Sequence, residues 1–250
     1  MSTLQGKNAI VTGGTRGLGR GIALALAEAG ARVVAIGRRA SGVADVSEAH
    51  PRVEGVAGDV ADDRFALELL GRERPDILVL NAGASPLLRP IHEQSWETFS
   101  QNWNVDVKAA FLWLKEALTL PLAPGSQIIV VSSGAALRGS PMSGGYAGAK
   151  KTVAFIADYA RTEAQRLERG LTIRTLFPQL NPNTDLGRAG VQAYAERAGV
   201  SFDDFAKRFD PPLSPAVAGQ SVLELVAARA SDEGPNELLL TGKGLGPLPG

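Results

Sequence analysis

The chain has 250 residues, 44% of them hydrophobic, enough to bury one α/β core or at most two small ones. Its 26 basic and 26 acidic residues cancel to a formal charge of zero, which removes the electrostatic case for nucleic acid or an anionic membrane as main partner. The absence of cysteine excludes disulfides, thiolate catalysis and cysteine zinc sites, and the 2 histidines, His50 and His92, are too far apart in sequence to suggest a metal site. The first residues lack a secretion-signal pattern, and no apolar run approaches the roughly 18 residues of a membrane span, so a cytoplasmic protein is expected.

Residues 7–12 (KNAIVT) read as a short buried strand that runs straight into Gly13-Gly14-Thr15-Arg16-Gly17-Leu18-Gly19. A helix follows over 22–29, with Gly30 as its C-cap. In that context the glycines let backbone approach a pyrophosphate, and the helix start offers free N–H groups. The plain alternative is a tight turn. Residues 32–36 (RVVAI) give the second strand. A carboxylate at its end would bind a ribose 2′-hydroxyl, but the sequence has Gly37-Arg38-Arg39. Together with Arg16 these place up to three guanidiniums where a 2′-phosphate would sit, a reading we favour over solvated loop arginines.

The stretch from Arg39 to His50 is short for a full second helix. Residues 53–57 form the third strand, leaving through Gly58-Asp59-Val60. Asp59 accepts from an adenine amino group or caps the next helix, and the two roles are compatible. Residues 76–80 (DILVL) are the fourth strand, ending in Asn81-Ala82-Gly83, whose small residues suit backbone lying close to a flat ligand. A long helix is expected over 96–120, stopped by Pro121. Residues 128–131 (IIVV) are a buried strand that ends at Ser132-Ser133.

A Gly/Ser/Pro-rich loop then leads to a helix carrying Tyr146 and Lys150 and reaching about Arg169. Four residues apart, these two side chains share one helix face. An ammonium stabilises the phenolate form of a neighbouring phenol, and Ser133 brings a hydroxyl to the same point. That is equipment to protonate or deprotonate an oxygen. It supplies no electrons, so redox chemistry needs a cofactor. Tyr-x-x-x-Lys alone is a weak motif. Residues 171–177 form a sixth strand ended by Pro178. The region 179–215 is the least regular, with Val191, Tyr194, Ala198 and Phe202, Phe205, Phe209 at helical spacing between Pro/Gly breakers. A helix over 215–230, a strand over 237–240 and a Gly/Pro tail close the chain. Alternating strands and helices without a linker or repeat predict a single α/β domain over 1–250, its mostly parallel sheet covered on both faces.

Thr12-Gly13-x-x-x-Gly17-x-Gly19, Asp59, Asn81-Ala82-Gly83, Ser133 and Tyr146-x-x-x-Lys150, in this order, resemble the short-chain dehydrogenase/reductase family. The 13-residue step from Ser133 to Tyr146 also fits. The likeness is firm over about residues 6–180 and looser beyond, and points towards NADP-dependent carbonyl (3-oxoacyl-type) reductases. It implies a doubly wound Rossmann fold, NADP(H) as cofactor, a small carbonyl or alcohol substrate and a homo-oligomer, tetramer or dimer. Carried over, Tyr146 is the general acid/base, Ser133 binds the substrate oxygen, and Lys150 holds the nicotinamide ribose. Gly13, Thr15, Arg16, Gly17, Leu18, Gly19, Arg38, Asp59, Val60, Asn81, Ala82, Gly83, Pro178 and Thr184 would complete the cofactor site.

The chain departs from the family pattern at two further points. Where the family has Asn, five residues before Phe111, stands Asp106, and the nearest Asn is Asn104. Gln179 replaces the glycine after Pro178, and Thr184 lies six residues past that proline rather than five. By family analogy 181–214 is a lid insertion. Leu186, Val191, Tyr194, Phe202, Phe205 and Phe209 then either wall a pocket for a fairly hydrophobic ketone or hold the lid to the body, while Arg138 and Arg188 are available to a carboxylate. The leading function is an NADPH-dependent ketone reductase. The alternatives are a non-catalytic dinucleotide-binding sensor and another chemistry on this fold.

Overall fold

The computed structural model describes residues 4–227 and 234–249. In chain order the elements are β1 (Asn8–Thr12), α1 (Gly17–Glu28), β2 (Arg32–Gly37), α2 (Ala40–Ala49), β3 (Val53–Ala57), α3 (Phe65–Glu73) and β4 (Ile77–Leu80). Then come α4 (Trp96–Asn102), a π-helical turn (Trp103–Val107), α5 (Lys108–Thr119), β5 (Gln127–Val131), α6 (Ala135–Arg138), α7 (Gly144–Arg166) and β6 (Thr172–Pro178). Last are α8 (Asp185–Ala198), α9 (Phe202–Ala206), α10 (Pro215–Ala227), β7 (Glu237–Thr241) and β8 (Gly244–Gly246).

The strands make one sheet in the order β3-β2-β1-β4-β5-β6-β7-β8, parallel except for the antiparallel β7–β8 pair. Strand period decides which side chain faces which helix layer. On β1, Ala9 and Val11 join Ile22 and Leu26 of α1 and Val222 of α10 on one face. Ile10 joins Leu70 of α3, Trp113 of α5 and Ala157 of α7 on the other. On β5, Ile129 and Val131 divide from Ile128 and Val130 in the same way. Both faces are therefore apolar, as a mostly parallel sheet requires. The strand order reverses between β1 and β4, which opens a crevice beyond their carboxyl ends.

Several expectations are corrected. Residues 40–49 are a complete helix of 10 residues, because Val46 is buried against the sheet and anchors it. Asp59 does not cap α3. It accepts from the Ala61 N–H at 2.9 Å, while Asp62 accepts from Arg64 and Phe65 at the helix start. The long helix at 96–120 is two α-helices joined by the π turn. The tail contains β8, which pairs Leu245 with Leu240 at the sheet edge. The expected helix over 215–230 is observed to Ala227, and its remaining residues lie outside the described ones.

Candidate active site

The crevice is a cleft of about 1200 Å³ along the carboxyl ends of the parallel strands. Its first wall is the turn between β1 and α1. Gly17 has φ 54°, a left-handed conformation that favours glycine, and a Cβ there would meet no protein atom within 4 Å. That face of the turn is open to the cleft. At Gly19 the opposite holds: a Cβ would run into the Gly13 carbonyl oxygen and the Asn81 amide. The start of α1 is thus pressed against the β4 exit. Thr12 completes the junction, its hydroxyl accepting from the N–H groups of Asn81 (2.9 Å) and Ala82 (3.1 Å) and donating to the Val79 carbonyl (3.3 Å). Asn81 in turn donates to the carbonyls of Thr12 and Gly13, both at 3.2 Å.

The second wall is the β5 exit and α7. The Ser132 hydroxyl donates to the Lys150 carbonyl at 2.7 Å, tying the strand end to the helix. Ser133 faces the cleft, its oxygen accepting from the Ala135 N–H at 3.2 Å. Tyr146 and Lys150 line the same wall, with the ammonium 6.0 Å from the ring centre. The Lys150 ammonium is buried, donates to the Val131 carbonyl at 3.2 Å and lies 3.3 Å from a carboxylate oxygen of Asp106. Burial pulls its pKa down, but the Asp106 carboxylate, with help from Tyr146, more than offsets this, so the net shift is upward from the ordinary lysine value.

Asp106 owes its place to the π turn, a feature that often marks functional sites in helices. Its side chain is 0% exposed, and its other oxygen accepts from the Ala84 N–H at 2.8 Å. It thereby bridges the Asn81–Ala84 loop to the lysine. Asn104 is exposed on the same turn, so the structure brings Asp106, not Asn104, to the lysine. Sequence reasoning missed Asn102, which is buried and donates to the Ala84 carbonyl at 2.7 Å. Its spacing of four residues from Asp106 on a helix was the available signal.

The expected cofactor and catalytic residues all line this one cleft: Gly13, Thr15, Arg16, Gly17, Leu18, Gly19, Arg38, Asp59, Val60, Asn81, Ala82, Gly83, Asp106, Ser133, Tyr146, Lys150, Pro178 and Thr184. Arg38 and Arg39 are exposed at the β2 end of it, without a carboxylate in ion-pairing range among the described residues, while Arg16 lies 3.6 Å from Asp185. The Thr184 hydroxyl is already engaged, capping α8 at the Gly187 N–H and donating to the Asn181 carbonyl, both at 3.1 Å.

Helices α8 and α9 share a small core of Val191, Ala195 and Phe205, packed by Leu180, Tyr194, Phe202 and Phe209. Leu186, Tyr194, Phe205 and Phe209 line the cleft, whereas Val191 and Phe202 only hold the helices together. Arg188 does not reach the cleft: its guanidinium lies over the Phe202 ring at 5.4 Å, and Arg208 lines the cleft instead. The Tyr194 hydroxyl, another missed element, meets the Ser140 hydroxyl and accepts from the Met142 N–H at 3.4 Å.

The switch-point cleft, the glycine turn with one open and one closed face, and the Ser133–Tyr146–Lys150 wall are the features of a Rossmann-type fold with its cleft at the strand ends. Residues 7–189 match the family model of the short chain dehydrogenases. The chain belongs to that family, the nicotinamide-dependent short-chain dehydrogenases/reductases. It is 32% identical over 207 residues to the hydroxynaphthalene reductase arp2 of Aspergillus fumigatus, covering 77% of this chain and 72% of that protein. It is 36% identical over 139 residues to L-xylulose reductase of Bos taurus, covering 54% of this chain and 57% of that one. A solved structure from Agrobacterium tumefaciens, provisionally named a gluconate dehydrogenase, superposes with a TM-score of 0.81 at 25% identity over 96% of both chains.

Proposed function

We propose that the protein is a reversible NADP(H)-dependent ketone reductase. The observation that carries this is the single cleft with Ser133, Tyr146 and Lys150 on one wall and Arg16, Arg38 and Arg39 at its far end. The open face at Gly17 fits a pyrophosphate, and the exposed guanidiniums of Arg16 and Arg38 fit a 2′-phosphate. The cofactor supplies the hydride. Ser133 donates a hydrogen bond to the substrate carbonyl oxygen, and Tyr146 gives that oxygen its phenolic proton as negative charge develops there. In the reverse direction Tyr146 takes the proton from the alcohol. Lys150 holds the nicotinamide ribose hydroxyls with an ammonium kept charged by Asp106. Leu186, Tyr194, Phe205 and Phe209 exclude water from an apolar substrate body. By family analogy the reading includes a lid at 181–214 on a single domain, a cytoplasmic setting and a homo-oligomer, dimer or tetramer.

The test is NADPH oxidation with a panel of aryl and alkyl ketones, by the wild type and Tyr146→Phe. Removing the general acid is expected to lower kcat/KM by about two to four orders of magnitude, with NADPH affinity retained. Undiminished turnover in Tyr146→Phe would remove Tyr146 from the mechanism. Tight NADPH binding without turnover of any ketone would favour a dinucleotide sensor.

A further inference from the structure

Charge is unevenly distributed along the cleft. Among the described residues the carboxylates that line it are Asp59, Asp106 and Asp185. Asp59 belongs to the β3 exit, Asp106 is committed to Lys150 at 3.3 Å, and Asp185 lies 3.6 Å from Arg16. Two further guanidiniums, Arg138 and Arg208, line the same cleft, and among the described residues neither has a carboxylate in ion-pairing range. Arg138 is the last residue of α6, on the segment that begins at Ser133. Arg208 follows α9, its guanidinium 4.4 Å from the centre of the Phe205 ring. Phe205 stacks on Tyr194 with 6.0 Å between ring centres, and the Tyr194 hydroxyl meets Ser140 and the Met142 N–H. Arg138 immediately precedes the loop at 139–143, and Phe205 and Tyr194 connect Arg208 to that same loop, which leads into α7 and Tyr146.

A guanidinium held on an aromatic face is preorganised and keeps its planar fork of N–H donors free for a matching acceptor. Two exposed guanidiniums lining one cleft, Arg208 held on a ring and neither paired with a carboxylate among the described residues, attract an anion, and a carboxylate matches the fork bidentately. We infer that the substrate is an oxo acid: a ketone with an apolar body whose carboxylate is bound by Arg208 and Arg138 while its carbonyl meets Ser133 and Tyr146. This rests on the ketone-reductase reading and adds the substrate class to it.

The experiment compares β-benzoylpropionate with its uncharged counterpart β-benzoylpropionamide, by calorimetric binding to the protein with and without NADPH and by NADPH oxidation. The acid is expected to bind at least about tenfold more tightly than the amide. Arg208→Gln and Arg138→Gln should each weaken acid binding by about tenfold to a hundredfold, the usual range for a charge-assisted hydrogen bond, and weaken the amide far less. Equal binding of acid and amide, or an acid affinity unchanged in the double variant, overturns the inference. Oxidation of NADPH by the amide but not the acid also overturns it and leaves the reductase reading standing. Arginine-dependent acid binding without oxidation by either compound upholds the anion site and overturns the reductase reading instead.

Discussion

The two ends of the cleft are shaped by different kinds of contact. At the glycine-turn end the shape is made by close contacts to backbone: Gly19 lets α1 close on Gly13 and Asn81, the Thr12 hydroxyl gathers two N–H groups, and the Asp106 carboxylate reaches the Ala84 N–H. At the lid end it is made by side chains. Val191, Phe205 and Tyr194 form a core of their own, and one tyrosine hydroxyl joins it to the loop before α7. Close backbone contact tolerates almost no substitution, whereas an apolar side-chain cluster can repack around change. In the proposed function the first end takes the cofactor and the second the substrate.

The sharpest way to break the rigid end is at Asp106. Asp106→Ala leaves the Lys150 ammonium buried without its counter-charge, and a stability loss of about 3–5 kcal/mol is expected in urea unfolding. A loss below about 1 kcal/mol would show the ion pair to be incidental. Asp106→Asn keeps the shape and removes the charge. A lysine whose folded pKa is raised contributes stability that is complete below its unfolded value and lost as pH rises through the folded one. The wild type should thus lose this contribution only at strongly alkaline pH. In Asp106→Asn burial prevails, so the alkaline limbs of both Tm and kcat/KM should move to lower pH. Unmoved limbs would contradict the pairing.

Smaller effects separate the two ends further. Gly19→Ala forces a methyl into the Gly13 carbonyl, costing about 1–3 kcal/mol of stability and weakening NADPH binding in a fluorescence titration. Full NADPH affinity in that variant would show that the turn does not shape the cofactor site. Tyr194→Phe removes only the hydroxyl bonds to Ser140 and Met142, worth about 1 kcal/mol. It should raise KM for the ketone several-fold with NADPH affinity unchanged. An effect on NADPH rather than on the ketone would contradict the assignment of Tyr194 to the substrate end.

The same contrast explains what was legible in the sequence. Gly13, Gly17, Gly19, Asn81 and Gly83 each answer a local backbone demand, so residue type and spacing were enough to place them around one cleft. The strands were equally plain, because runs such as Ile128–Val131 are apolar on both faces. The lid was not. Arg188 and Arg208 carry the same chemistry at similar distances from phenylalanines, and only the packing of α9 shows that Arg208 reaches the cleft while Arg188 lies on Phe202. Asp59 and Asp62 both precede α3, and the exact helix start decides which one caps it. The role open to Asp106 depended on a π turn that no residue pattern announces, although Asn102 and Asp106 at four-residue spacing were in view.

The central claim is most directly tested by fluorescence titration of the protein with NADPH and with NADH, in the wild type and in Arg38→Ala. The account predicts binding of NADPH at least about tenfold tighter than NADH, the scale of one charge-assisted contact, with the preference lost on removal of Arg38. A preference for NADH would contradict the assignment of Arg16 and Arg38 to a 2′-phosphate, and binding of neither would contradict the cofactor site itself.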